Sequence, residues 1–298
     1  MKRARIIYNP TSGREVIKKQ LPYILKRLEQ AGYEASAHET TGPGCAKRAA
    51  EVAIERRYDL VIIAGGDGTL FEAINGLANK DYRPTIGIIP CGTTNDFARA
   101  LKIPRNIVKC CDILCGDYTR PIDIGKTSDD KYFINVAAGG AMTELTYQVP
   151  IKLKTIFGRF AYFIKGFEKL PTIRTRKVKI TYDEGVYEGD ILLFFVCNSN
   201  SVGGFEKLAL KSKYDDGLFD LIIVEKMRFN KLLHAGIKSL SGKHLKEAKI
   251  KYFQTSNIKI EMNDKIPLNL DGEYGGDIPC ELTILKHHFN LLAPKPIE

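Results

Sequence analysis

Two short runs constrain this chain more than anything else in it: Leu60-Val61-Ile62-Ile63-Ala64 and Thr85-Ile86-Gly87-Ile88-Ile89. Both are almost wholly apolar. Each stops at a turn signal, Gly65-Gly66 in the first case and Pro90-Cys91-Gly92 in the second. Strands without polar alternation bury both faces. Around them lie patterns of helical period. Val16, Ile17, Leu21, Ile24, Leu25 and Leu28 recur at steps of one, three and four until Gly32 ends the pattern. Residues 45–57, 69–78 and 94–101 read as three further helices. Arg5-Ile6-Ile7-Tyr8 and residues 33–38 read as two more strands. Doubly buried strands that alternate with helices predict a parallel sheet covered on both sides.

The grammar changes after Pro121. Strand-like runs now succeed one another at 132–137, 178–182, 186–197, 218–224, 257–260, 268–270 and 280–285. Asp183-Glu184-Gly185, Asp216-Gly217 and Asp271-Gly272 punctuate them. That succession predicts a mostly antiparallel second domain, interrupted by helical patterns at 153–170 and 229–241. The expected fold class is therefore α/β plus mostly-β. An N-terminal parallel α/β domain covers 1–121, completed by 288–298 if the apolar run at 290–293 returns to it, and a mainly β domain covers 122–287. At ~150 residues per domain, 298 residues fit two.

Composition narrows the function. The longest strongly apolar run is seven residues, 191–197, against the ~20 that a membrane-spanning helix needs, so no membrane span is expected. The basic N-terminus is succeeded only by Ile6-Ile7-Tyr8 before Asn9-Pro10, short of the ~7 apolar residues of a signal peptide. Seven cysteines, an odd count, fit reduced thiols in a cytosol. Cys110-Cys111-x3-Cys115 lacks the second pair and nearby His of a zinc site. It reads as small residues on a helix that begins near Ile107. Lys and Arg number 45 against 35 acids, a net charge of +10. That excess suits an anionic partner (nucleic acid, nucleotide or an acidic membrane surface) or serves solubility alone. No nucleic-acid module pattern is present, so no nucleic-acid partner is expected.

Three turns in the first domain share one design. Asn9-Pro10-Thr11-Ser12-Gly13, Gly65-Gly66-Asp67-Gly68-Thr69 and Pro90-Cys91-Gly92-Thr93-Thr94-Asn95-Asp96 each leave a strand, use Gly and small hydroxyl residues, and enter a helix. In a parallel sheet all three lie on the carboxyl edge, where ligands bind. Glycines admit close backbone approach, and helix N-terminal amides suit phosphate. Thr69 and Glu72 also fit a capping box for the third helix. No P-loop and no G-x-G-x-x-G fingerprint is present. The central turn instead carries an acid, Asp67. An acid beside phosphates repels them unless a cation intervenes, so its sensible role is to hold Mg²⁺ directly or through water.

Gly65-Gly66-Asp67-Gly68-Thr69 after an apolar strand resembles the GGDGT signature shared by diacylglycerol, sphingosine and NAD kinases and phosphofructokinases. The order of four motifs is finer: Asn9 to Gly13, GGDGT, Pro90 to Arg99, then Leu270-Asp271-Gly272-Glu273. It resembles the diacylglycerol kinase catalytic domain, in the soluble bacterial form, over nearly the whole chain. The resemblance implies an ATP- and Mg²⁺-dependent lipid kinase that converts diacylglycerol to phosphatidic acid. It implies ATP binding by Asn9, Pro10, Thr11, Ser12, Gly13, Thr40, Gly66, Asp67, Gly68, Thr69, Leu70, Phe71, Glu72 and Thr93. Asp67, Asp96 and Asp123 match an acidic network around the catalytic magnesium, and Glu273 matches the general base. A second, structural magnesium matches Asp216 with the carbonyls of Lys213 and Leu218, although Lys211-Ser212-Lys213-Tyr214 is less acidic than a metal loop usually is.

Two readings of some residues stand side by side. Read from the residues alone, Glu273 sits in a hairpin turn; its catalytic role requires it to face the cleft between the domains. The stretch 152–179 carries nine basic residues, one acid (Glu168), and Phe157, Phe160, Ile164 and Phe167 at helical spacing. It reads either as a core-facing helix with a solvated basic face or as a surface that docks on anionic lipid. With the cysteine usage, these residues give the expected location, a cytoplasmic protein held peripherally on the inner face of the membrane, and the family's soluble members imply a homodimer. Two rivals remain: a kinase for another hydroxyl acceptor (phosphatidylglycerol, a sphingoid base or NAD), and a nucleotide- or lipid-binding regulator without turnover. Leu270-Asp271-Gly272-Glu273 argues against the NAD kinases.

Overall fold

The computed structural model describes residues 1–140, 175–200, 209, 211–227, 231, 238 and 243–296. The chain divides into two compact units, Met1–Asp123 with His287–Glu298, and Ile124–Lys286.

The first unit carries β1 (Lys2–Tyr8), α1 (Val16–Gln30), β2 (Tyr33–Glu39), α2 (Cys45–Glu55), β3 (Leu60–Gly65), α3 (Asp67–Leu77), β4 (Thr85–Pro90), α4 (Asp96–Ala100) and α5 (Ile107–Leu114). β1 lies between β2 and β3, β3 pairs with β4, and every pairing is parallel. Ile6 sits opposite Ile62, and Ile62 opposite Gly87. The residues that make the runs apolar are the core: Ile6, Ile7, Val61, Ile62, Ile63, Ile86 and Ile89 are at most 1% exposed. Each such side chain contributes about 1.5–3 kcal/mol by leaving water. Helices supply the cover, α1 through Ile17, Ile24 and Leu28 and α2 through a small-residue face of Ala46, Ala49, Ala50 and Ala53. Gly76 of α3 packs so close to α2 that a Cβ there would lie 2.4 Å from the Lys47 carbonyl oxygen. Cys110 and Cys111 are buried on α5.

The second unit is built of strands: β6 (Tyr132–Phe133), β7 (Val136–Gly140), β8 (Arg176–Tyr182), β9 (Gly185–Cys197), β10 (Phe219–Glu225), β11 (Ile250–Thr255), β12 (Asn257–Met262), β13 (Ile266–Leu270) and β14 (Glu273–Ile278). Neighbours run antiparallel in the order β14-β13-β7-β9-β8-β12, with β10 on β9 and β11 on β10. β5 (Thr119–Thr127) carries the chain into this unit, and β15 (Cys280–Leu292) carries it back. Past His287, β15 adds to the first sheet: Leu291 pairs in parallel with Ile86. Phe133 stacks on Phe219 at 5.5 Å between ring centroids inside the second unit.

Several elements differ from the sequence expectation, each for a local reason. The third helix starts at Asp67 rather than Thr69, with Gly66 as its N-cap, so Thr69 lies inside the first turn and no capping box forms. Glu72 serves the neighbouring helix instead: its carboxylate accepts from the N–H groups of Gly44 (2.8 Å) and Ala46 (3.2 Å) at the start of α2. The fourth helix is shortened to Asp96–Ala100 because Asn95 before it adopts a left-handed φ of 50°. The single strand expected over 132–137 breaks in two, since the N–H groups at the break are taken by Asp271. The runs at 280–285 and 290–293 form one strand, β15. β5, β11 and β14 have no counterpart in the expectation; their alternation is blurred by Pro121, by the adjacent Tyr252 and Phe253, and by Gly275-Gly276. The helical patterns at 153–170 and 229–241 lie outside the described residues, apart from Lys231 and Lys238, which are helical.

Candidate active site

The carboxyl ends of β1, β3 and β4 deliver the three turns to one edge, and the turns touch one another. Gly13 has φ +60°, and a Cβ on it would lie 2.7 Å from the Cys91 carbonyl oxygen. A Cβ on Gly92 would lie 2.5 Å from the Gly66 Cα. Glycine is required at both points because another backbone occupies the side-chain space.

Asp67 fastens the second turn to the third. Its Oδ2 accepts from the Thr94 hydroxyl (2.7 Å) and from Asn95 N–H (2.8 Å), and its Oδ1 accepts from Asp96 N–H (2.7 Å). Three of the roughly four lone-pair positions of a carboxylate are thereby used. Asn95 closes the turn on itself: its Oδ1 accepts from Gly92 N–H and its Nδ2 donates to the Gly92 carbonyl, both at 2.8 Å. Arg105 donates to the Thr93 carbonyl at 2.6 Å, and Arg99 donates to the Thr94 carbonyl. Burial pushes the Cys91 thiol up to about 11, so the cysteine of this turn stays protonated at neutral pH.

A cavity of about 380 Å³ opens beside these turns in the first unit, lined by Asn9, Pro10 and Thr11, by residues 40–43, and by Ala46, Gly68, Thr69 and Glu72. It brings together seven of the residues that the sequence resemblance singles out: Asn9, Pro10, Thr11, Thr40, Gly68, Thr69 and Glu72. Ser12, Gly13, Gly66, Asp67, Leu70, Phe71 and Thr93 do not line it. Leu70 is buried in the core, and its N–H donates to the Gly66 carbonyl at 3.1 Å within the first turn of α3, so it offers a ligand neither side chain nor amide. The loop residues Thr41, Gly42 and Pro43 and the helix residue Ala46 are additions. They had a signal: residues 40–44 are a further small-residue turn between a strand end and a helix, the same pattern that marks the other three. Asn9 shapes the first turn, its Oδ1 accepting from the N–H (3.0 Å) and hydroxyl (2.9 Å) of Thr11.

The remaining acids lie apart in the chain. Asp96 is 9% exposed and pairs with Arg99 at 3.8 Å. Asp123 is fully buried and accepts from His287 N–H at 2.6 Å. Glu273 is the exposed first residue of β14, in the second unit. Asp216 accepts from Leu218 N–H at 3.0 Å, in the loop before β10, with Lys213 exposed three residues earlier. Among the described residues no three His, Cys, Asp or Glu side chains gather closely enough to hold a metal directly. No helix of the described residues is long and apolar enough to cross a membrane.

Comparison with known proteins decides the family. Residues 3–127 match the diacylglycerol kinase catalytic domain, and residues 141–293 match the YegS C-terminal NAD kinase beta sandwich-like domain. A diacylglycerol kinase of Bacillus subtilis (strain 168) is 52% identical over 296 residues, covering 99% of this chain and 97% of that protein. This chain belongs to the diacylglycerol kinase family. A diacylglycerol kinase of Staphylococcus haemolyticus (strain JCSC1435) is 48% identical over 294 residues, 99% of this chain and 89% of that protein. A crystal structure of a diacylglycerol kinase from Bacillus anthracis str. Sterne is 28% identical, with a TM-score of 0.76 over 98% of this chain and 97% of that one. Another from the same organism reaches a TM-score of 0.86 at 30% identity, over 98% and 95% of the two chains. The α/β unit joined to an antiparallel β unit is thus the architecture of this kinase family, and the kinase domain implies the use of ATP.

Proposed function

We propose that this chain transfers the γ-phosphoryl group of ATP to the free hydroxyl of diacylglycerol, giving phosphatidic acid and ADP. The observation that carries the reading is the mutual contact of three glycine-bearing strand-end turns, two of which line a cavity with Asn9, Thr11, Thr40, Gly68, Thr69 and Glu72, in a chain half identical to diacylglycerol kinases. Turn amides and hydroxyls bind the polyphosphate and fix its register. The acceptor oxygen attacks the γ-phosphorus in line, the bond from that phosphorus to the bridging oxygen breaks, and ADP departs. Glu273 accepts the hydroxyl proton. The transition state of such transfers is loose, so positioning outweighs the base.

Asp67 is assigned a magnesium ion held through water, with Asp96 and Asp123 carried over to the same ion by the family resemblance. Asp67 has about one lone-pair position left after its three donors, and Asp96 and Asp123 complete the acidic set. Bound there, the ion would neutralise charge on the phosphates. Asp216, with the carbonyls of Lys213 and Leu218, is assigned the structural magnesium; Asp216→Ala should abolish any rise in melting temperature on adding Mg²⁺. The reading includes a cytoplasmic homodimer that meets its lipid peripherally at the membrane. The basic, aromatic stretch offered for that contact, 152–179, lies outside the described residues up to 174.

Glu273→Gln tests the assignment. It keeps size but removes the base, and turnover with diacylglycerol in mixed micelles should fall ~10²-fold or more, with ATP binding by calorimetry unchanged. Turnover within a few-fold of the parent would refute Glu273 as the base. A panel of acceptors (diacylglycerol, phosphatidylglycerol, a sphingoid base, NAD) tests the substrate: phosphorylation of another acceptor in preference overturns that part of the reading.

A further inference from the structure

Taking Glu273 as the acceptor of the substrate proton, a reading on which the proposal depends, we propose that Asp271, seconded by Asn269, is the positioning residue that holds Glu273 in place. Leu270 pairs with Glu273 across a two-residue turn, Asp271 at φ 53° and Gly272 at φ 99°. Such a turn needs only left-handed φ angles, which Asp-Gly and Asn-Gly supply equally. The Asp271 carboxylate does more than make a turn. Its Oδ2 accepts from Ile134 N–H at 2.7 Å, and its Oδ1 accepts from Asn135 N–H at 2.9 Å and Val136 N–H at 2.8 Å. Asp271 N–H returns a bond to the Val136 carbonyl at 2.9 Å. Gly272 N–H donates to Asn269 Oδ1 at 3.0 Å.

The receiving segment is itself fixed. The Ile134 carbonyl accepts from Asn198 Nδ2 at 3.0 Å, the Asn135 carbonyl from Asn198 N–H at 2.7 Å, and Asn135 Oδ1 from the Ser199 hydroxyl at 3.0 Å. Ile134, Asn135, Asn198 and Ser199 are all at most 4% exposed. Glu273, an exposed side chain, therefore starts two residues from a carboxylate anchored in a buried polar hub. This anchoring explains why Asp stands in the turn. Three N–H donors need two acceptor oxygens, and Asn would turn an NH₂ group toward one of them. A base must lie within hydrogen-bond reach of its proton, and an error of about 1 Å can cost ~10²-fold in rate.

The test is a double-mutant cycle of Asp271→Asn and Glu273→Gln in the full chain, read as kcat and KM for ATP with diacylglycerol in mixed micelles. Asn tolerates the left-handed φ, so the turn survives. Asp271→Asn should lower kcat ~10-fold or more with KM for ATP unchanged, because the anchor acts on placement of the base. In the Glu273→Gln background the same change should cost less than about two-fold, since the group it positions is already gone. A purely structural role would lower both backgrounds alike and raise KM as well, and that result overturns the proposal. So does a parental kcat in Asp271→Asn. Should Asp271→Asn not melt cooperatively, Asn269→Ala releases the turn's other tie, and its loss must vanish in the Glu273→Gln background in the same way. If Glu273→Gln alone keeps the parental kcat, the base assignment falls, and this proposal with it, on a measurement that does not involve Asp271.

Discussion

Asp67→Ala should cost stability as well as activity. The carboxylate accepts from two backbone N–H groups, those of Asn95 and Asp96, and from the Thr94 hydroxyl. The hydroxyl can rotate to another acceptor, but the two amides cannot. Asn95 and Asp96 are 5% and 9% exposed, so little water reaches them. α4 is only five residues long, and Asn95, its N-cap residue, makes no side-chain cap bond to the helix. A buried donor left without an acceptor costs about 1–3 kcal/mol. Allowing for partial access to water, the two together should cost about 2–4 kcal/mol. At roughly 2–4 °C per kcal/mol for a domain of this size class, the transition of the first unit should fall by ~5–15 °C. Hydrogen exchange localises the effect: protection of the Asn95 and Asp96 amides should drop while that of β3 amides remains. Turnover should vanish below the new transition, because the turn that faces the phosphates has lost its tie. A melting temperature within ~1 °C of the parent, with both amides still protected, would refute this reasoning, since the bonds would then hold nothing in place.

Glu72→Ala frees the Gly44 and Ala46 amides at the start of α2, so melting should fall by the equivalent of about 1–2 kcal/mol; KM for ATP should rise, and an unchanged KM would place the nucleotide elsewhere. Burial pushes the Asp183 carboxyl up, but the N–H and hydroxyl of Ser256, with Asn257 and Thr255, outweigh it and hold it down to about 2. A depressed folded value gives stability that is present above the unfolded value near ~4 and lost as pH falls toward 2; the Asp183→Asn variant should therefore lose less melting temperature than the parent between pH 4 and 2, and parallel curves would contradict the assignment. All seven cysteines are free thiols, and burial lifts Cys91 and Cys111 to about 11 and Cys110 and Cys280 to about 12. Alkylation of native protein at pH 8 should leave the buried Cys110, Cys197 and Cys280 unmarked while the half-buried Cys115 reacts; peptide mapping that finds Cys197 or Cys280 marked before Cys115 would count against it.

The amino-acid sequence by itself determined the sheet of the first unit. Runs such as 60–64 admit no polar face, so they must be covered on both sides, and three of the turns after such strands had to gather on one edge. Glycine at 13, 66 and 92 was legible as a demand for close approach, because that demand is local. What the glycines approach was not legible, because the Cys91 carbonyl and the Gly66 Cα come from other segments of the chain. Glu72 shows the same limit. Its spacing from Thr69 fits a capping box, but its carboxylate went to Gly44 and Ala46, since pairing across helices depends on which amides the packing leaves open. The second unit was readable only as a succession of strands. Its partners, and the break between Phe133 and Val136, were settled by the Asp271 carboxylate reaching three amides more than a hundred residues earlier in the chain. Hydrophobic periodicity records how each segment meets water, which is why the sequence carries it; the choice of hydrogen-bond partner is made by whatever donor lies nearest after collapse, and only the tertiary structure fixes that.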